Sequence, residues 1–156
     1  MTPEQARERF AGARVARLAT ADAGGGPHLV PVVFALAGDT VYSAVDAKPK
    51  RSRALRRLAN VAANPRVCLL VDHYDEDWRT LWWVRADGTG RVVSARDPEG
   101  ATAIGLLIGR YDQYRAQPPA GPVLAVDVER WSGWSGAGWS GSGPSESGSS
   151  AVTPER

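Results

Sequence analysis

The sequence predicts a small β-barrel, mainly β with a few peripheral helices (α+β). Three observations lead there. About seven short apolar runs, rich in valine, leucine and aromatic residues, are bounded by glycine, proline, asparagine or aspartate. Most of these runs are joined by short turns. A few stretches with helical spacing interrupt them, and no fixed-period repeat runs through the chain.

Thr2-Pro3-Glu4-Gln5 reads as a helix start: Thr2 caps, Pro3 suits the first turn and Gln5 completes a capping box. That helix ends near Gly12. Val15 to Thr20 is the first strand, and the glycine-rich stretch from Asp22 to Gly26 is a turn. Pro27 to Ala35 is the second strand. Leu29, Val30, Val32, Val33 and Phe34 make it nearly continuously apolar, so both of its faces are expected to be covered. Pro31 removes a ladder donor and places the strand at an edge or a bulge. Gly38-Asp39 turns into a third strand, Thr40 to Val45. A basic helix follows from about Ser52 to Asn64, where Asn64-Pro65 stops it. Its apolar face carries Ala54, Leu55, Leu58, Val61 and Ala62; Arg53, Arg56, Arg57 and Asn60 fall on the polar face, with Arg56 and Arg57 assigned to solvent.

Arg66 to Asp72 is the fourth strand, His73 to Arg79 an acidic loop, and Leu81 to Arg85 the fifth strand. Asp87-Gly88 is read as a turn, after which Gly90 to Ser94 pairs back as a sixth. Asp97-Pro98-Glu99 opens a longer helix to about Arg115, with Ile104, Leu107, Ile108 and Tyr111 on one face. Pro118 to Pro122 is a linker, and Val123 to Trp131 the last strand. The barrel domain is set at 1–135 and a disordered Gly/Ser-rich tail at 136–156.

The composition suits one globular domain: 156 residues, 43% hydrophobic and 23% charged. A net charge of +2 rules against a polybasic nucleic-acid coat. Cys68 has no cysteine to pair with and sits in an apolar run, so a buried structural thiol is expected. His28 and His73 lie far apart, each with a structural or exposed role, and no metal site is assigned. No signal region or membrane-length apolar run is present, and the expected location is the cytoplasm.

The basic bias is local. Seven of the 19 basic residues fall between Lys48 and Arg66, and no acid lies between Asp46 and Asp72. Lys48 and Lys50 are the chain's two lysines, and they stand just before the predicted basic helix, where free N–H groups and the dipole favour an anion. No glycine-rich nucleotide loop, nucleophile elbow or catalytic acid–base pair is evident, so no catalytic residue is assigned. Trp82 and Trp83 point to opposite faces of their strand, one to the core and one to a partner or ligand. A barrel with a phosphate-type anion site and aromatic walls suits an organic cofactor with a planar ring and a phosphate tail, the cofactor carrying the chemistry.

Leu18-Ala19-Thr20, Gly26-Pro27-His28-Leu29-Val30-Pro31-Val32-Val33-Phe34, Val41-Tyr42-Ser43, Lys48-x-Lys50-Arg51, Leu58-Ala59-Asn60 and Asn64-Pro65-Arg66-Val67 follow in an order that resembles the pyridoxamine-phosphate-oxidase-like split β-barrel proteins. Val71-Asp72-His73-Tyr74, Trp78, Leu81-Trp82-Trp83-Val84-Arg85 and Arg130-Trp131-Ser132-Gly133-Trp134-Ser135 are similar to the actinobacterial branch that uses the deazaflavin coenzyme F-420. The match covers roughly residues 3 to 135.

The resemblance implies a homodimer with cofactor at the subunit interface. It implies that Pro31, Val32 and Val33 line the ring, and that Ser43, Lys48 and Lys50 hold the tail phosphodiester with Arg51 or Arg53 assisting. As an extension of it, Arg56 and Arg57 would meet the polyglutamate tail and Trp82 or Trp83 would wall the substrate side. The implied reaction is hydride transfer from reduced deazaflavin to an activated C=C or C=N bond of a small organic acceptor. Two alternatives stay open: an FMN-binding flavoenzyme of the same fold, and a non-catalytic protein binding the cofactor or a haem-type ligand. A nucleic-acid or membrane partner is not expected.

Overall fold

A computed structural model describes residues 1–45 and 51–138 of the chain. Among the described residues seven strands run β1 Ala16–Ala21, β2 Pro27–Val32, β3 Ala35–Ala37, β4 Thr40–Ala44, β5 Arg66–His73, β6 Trp82–Val93 and β7 Val123–Ser135. Four α-helices among them run α1 Pro3–Gly12, α2 Arg51–Ala63, α3 Pro98–Arg110 and α4 Asp112–Ala116. The strands form one antiparallel sheet in the order β2-β1-β5-β6-β7-β4-β3. β2 and β3 stand at opposite edges, yet only Val33 and Phe34 separate them in sequence. The chain steps directly from one edge to the other, so the curled sheet closes as a split barrel, the fold class the sequence predicts.

That step corrects the single strand expected over 27–35. The ladder partner changes across it, from Val32 opposite Ala16 of β1 to Ala35 opposite Tyr42 of β4. Pro31 is tolerated because β2 is an edge strand.

A second correction concerns Asp87-Gly88. It is no turn: β6 runs straight through, and the expected fifth and sixth strands are one. The register against β7 slips there, with Asp87 opposite Arg130 and Gly88 opposite Val128, which leaves Glu129 bulged out of the ladder. A Cβ at position 88 would strike the Asp127 carbonyl oxygen, so the glycine marks a close backbone approach.

The long helix expected over 97–115 is also two. Tyr111 leaves the helical region (φ −126°, ψ 120°) and separates α3 from α4.

Alternation along the strands divides the core. Leu18, Val32, Val41, Leu69, Val71, Val84, Leu124 and Val126 fill the barrel interior. The first helix starts as predicted, with the Thr2–Gln5 capping box complete. It drives Phe10 into the barrel, where its ring lies 4.7 Å from Phe34 and 5.1 Å from Trp131. α2 lays Leu58 and Val61 on the same interior. Asn60, expected on the polar face, is buried instead and donates its Nδ2 proton to Thr20 Oγ1 at 3.0 Å.

A second cluster lies outside the barrel. There Ala103, Leu107, Tyr111 and Tyr114 of the α3–α4 region cover Ala35, Ala44, Val123 and Ala125. β7 is therefore buried on both faces at its start. Cys68 departs from expectation: it is half-buried on the outer face of β5, where desolvation raises its thiol pKa.

A charged ring ties α3 to the sheet. Arg91 forks between Glu99 (2.7 Å) and Asp127 (2.9 Å), while the Tyr42 hydroxyl donates to Glu99 and the Thr40 hydroxyl to Asp127. Hydrogen bonds from Arg91 hold both carboxyls below their ordinary range. A depressed carboxyl adds stability above its unfolded pKa and loses it as pH falls through the folded one. Melting temperature should therefore stay level from neutral pH down to about 5 and decline below about 4. In Arg91→Met the part of that decline owed to this ring should vanish. Thermal melts of both proteins across that range check this, and parallel pH profiles would refute it.

Candidate functional site

Pro31, Val32, Val33 and Ser43 come together in one cleft of about 300 Å³, lined also by Val15, Ala44, Arg57 and Tyr114. The topology makes this meeting. Pro31 to Val33 lie where β2 gives way to the edge-to-edge step, and Ser43-Ala44 end β4, held in register opposite Leu124 and Val123 of β7. Val32 is 5% exposed and its side chain belongs to the barrel core, so Pro31 and Val33 supply most of that wall. Tyr114 of α4 closes one side, edge-on to Tyr111 with ring centroids 6.0 Å apart.

The opposite wall is polar. Ser43 is buried, and Arg57 of α2 lies beside it with Nη2 3.4 Å from the Ala44 carbonyl oxygen. Among the described lining residues Arg57 is the charged one, and none of them is a carboxylate. A guanidinium and a hydroxyl facing an apolar wall suit a ligand with a flat apolar body and an anionic oxygen. Sequence reasoning put Arg57 on the solvated face, and that is corrected here. The signal was its place next to Leu58 and four residues before Val61, at the border of the apolar stripe. Arg56 is exposed as expected.

Lys48 and Lys50 lie outside the described residues. Arg51 opens α2 and Arg53 falls in its first turn, less than two turns before Arg57. Neither Trp82 nor Trp83 is among the described residues lining the cleft. The two do point to opposite faces of the strand. Trp82 packs against the barrel core with His73 stacked on it (6.4 Å) and Arg9 over its ring (5.2 Å). Trp83 faces outward, paired across the ladder with Trp134. His28, given a structural or exposed role from the sequence, has a buried Nε2 that meets no protein partner among the described residues.

Two larger grooves have poorer chemistry. One of about 640 Å³ opens beside Cys68, past the last β1–β5 pair at Ala19 and Cys68. Its arginines are engaged, Arg66 with Glu129 and Arg130 with Asp87. Another of about 490 Å³ lies between α1 and Ser135. Among the described residues no helix covers the outer face of β2, β1 and β5. Leu29 (67% exposed) and Pro31 stand on that face, which continues across the sheet to Trp83 and Trp134 and borders the cleft at Pro31. Among the described residues there is also no helix long and apolar enough to cross a membrane.

A sequence model of the pyridoxamine 5'-phosphate oxidase family matches residues 2–135. Among solved structures the chain is similar to a FAD-binding protein from Mesorhizobium loti, with a TM-score of 0.65 and 22% identity over 85% of this chain and 94% of that one. It is similar to the haem storage protein HutZ from Vibrio cholerae, with a TM-score of 0.66 and 16% identity over 86% and 95%. It is also similar to a haem-binding protein from Mycobacterium smegmatis, with a TM-score of 0.63 and 20% identity over 86% of this chain and 57% of that one. At these identities the likeness is one of fold. No curated protein matches the chain.

Proposed function

The chain belongs to the pyridoxamine 5'-phosphate oxidase family, and from that premise we propose that it is an oxidoreductase dependent on coenzyme F-420, acting on a small organic acceptor. The observation that carries this reading is the cleft itself, with an apolar wall from Pro31 and Val33 facing Ser43 and Arg57. When bound, the deazaflavin supplies two-electron hydride transfer to an activated C=C or C=N bond. The chain's part is to bind, orient and exclude water. Pro31 and Val33 take the flat ring. Ser43 and Arg57 take the anionic oxygens of the tail, with Lys48 and Lys50 before α2 adding charge and Arg51 or Arg53 assisting. No residue among the described lining residues is assigned a proton transfer.

A cleft of about 300 Å³ is at the small end for a cofactor site, enough for a ring system and little more. A second copy of the chain docked on the outer face of β2, β1 and β5 would cover the apolar surface there and enclose the rest. This is the homodimer the resemblance implies.

The same cleft would serve a phosphomonoester as well as a phosphodiester, and one structural neighbour is a FAD-binding protein. FMN is therefore the second reading of the same site. Titration of the protein with F-420, FMN and haemin in parallel, followed by tryptophan fluorescence, separates the readings. Saturable binding of F-420 in preference to the others, with hydride transfer to an acceptor panel, is expected. Preference for FMN would make it a flavoenzyme, and haem binding without turnover would make it a binding protein.

A further inference from the structure

We propose that Tyr111 is a positioning residue for the cleft: its hydroxyl clasps the main chain at the step between β2 and β3 and so fixes the wall made by Pro31 and Val33. The hydroxyl oxygen accepts the Phe34 N–H at 3.1 Å. Its one proton is shared between the Phe34 carbonyl oxygen and the Arg14 carbonyl oxygen, each 2.8 Å away. Phe34 belongs to neither strand, and its own N–H and C=O stand where the ladder partner changes. A side chain therefore supplies what the sheet cannot, in a place where Phe34 is 0% exposed.

The clasp is held from both sides. The Tyr111 ring is 6% exposed and lies under the Arg14 guanidinium at 4.6 Å, with Arg110 at 5.9 Å. Arg110 in turn donates to the carbonyls of Ala11 and Ala13 at the end of α1. Tyr111 gives up helical geometry between α3 and α4 to reach the step. It also touches the cleft by a second route, through its edge-on contact with Tyr114. Both routes end on lining residues, Val33 beside Phe34 on one and Tyr114 on the other. Removing the hydroxyl would leave the buried Phe34 amide and carbonyl without their shared partner, and the chain would shift to satisfy them.

The consequence for binding rests on the cleft being the cofactor site proposed above; the geometry of the wall does not. The test is Tyr111→Phe in the full chain, beside Val67→Ala, which destabilises the barrel interior at the other end of β5 from the level of Val32 and is not among the residues lining the cleft. In ligand-free protein, NMR should show altered amide shifts and faster exchange at Val32, Val33 and Phe34, and a shifted Tyr114 ring, in Tyr111→Phe and not in Val67→Ala. The F-420 dissociation constant should rise about tenfold in Tyr111→Phe, as the loss of one buried hydrogen bond implies. It should change less than about twofold in Val67→Ala, which removes no residue of the cleft lining. Unmoved Val33 and Tyr114 signals in Tyr111→Phe would overturn the positioning role, as would equal effects of both variants on affinity. If the parent protein binds neither F-420 nor FMN, the cofactor reading falls, and the ligand-free signals still decide what Tyr111 does.

Discussion

Replacing Arg57 by methionine is expected to weaken F-420 binding about 10- to 100-fold, the range for losing a charge-assisted hydrogen bond of about 1.5–3 kcal/mol. The fold should survive. Methionine keeps an apolar stem of similar length, and helix propensity barely changes. One of the contacts it gives up, to the Ala44 carbonyl oxygen, is long at 3.4 Å. Binding should also become less sensitive to salt, because the cleft loses a charge from its lining. Fluorescence titrations at two ionic strengths with a thermal melt make the check. An unchanged affinity in Arg57→Met would remove the anion end of the cleft and leave the charge requirement to Lys48 and Lys50.

The largest effect on stability is expected at Phe34. Phe34→Ala should cost about 3–5 kcal/mol, a large share of the total for a domain of this size. Phe34 is fully buried, with the Phe10 ring at 4.7 Å and the Arg110 guanidinium at 5.2 Å from its own. Truncation empties the place where α1, the barrel interior and the step between its edges meet. Phe34→Leu keeps most of the volume and should cost far less. Urea denaturation of the two variants gives both numbers. A loss under about 1 kcal/mol in Phe34→Ala would mean that the site collapses around the gap.

Much of the fold was legible because its signals are local. The Thr2 capping box, the Gly38-Asp39 turn, the stop at Asn64-Pro65 and the edge position of Pro31 each follow from one or two residues and were read correctly. What failed depended on distant partners. Asp87-Gly88 has the composition of a turn, and only the closeness of the Asp127 main chain makes it a bulge. Tyr111 continues a helical stripe in sequence, and the demand of Phe34 for a hydrogen-bond partner takes it out of the helix.

The candidate site divides the same way. Pro31, Val32, Val33 and Ser43 were named from motif order, and the structure gathers them into one cleft. Arg57 and Tyr114 were missed in that role, because helical spacing says which face a residue occupies and not what the next strand brings against it. Val15 was read only as the start of a strand.

The step from β2 to β3 has a consequence for how the protein is made. The β1–β2 and β3–β4 hairpins close within short stretches of chain and can form as soon as they leave the ribosome. The far side of the cleft cannot. Ser43 and Ala44 are held by Leu124 and Val123, and the neighbouring contact of Thr40 with Asp127 spans 87 residues. Until β7 is synthesised, β4 and β6 present bare edges to one another and to any nascent neighbour. A ligand of this cleft therefore cannot template early folding; it can only lock a chain that is already nearly finished. Added during refolding, it should raise the final yield without speeding the first hairpins.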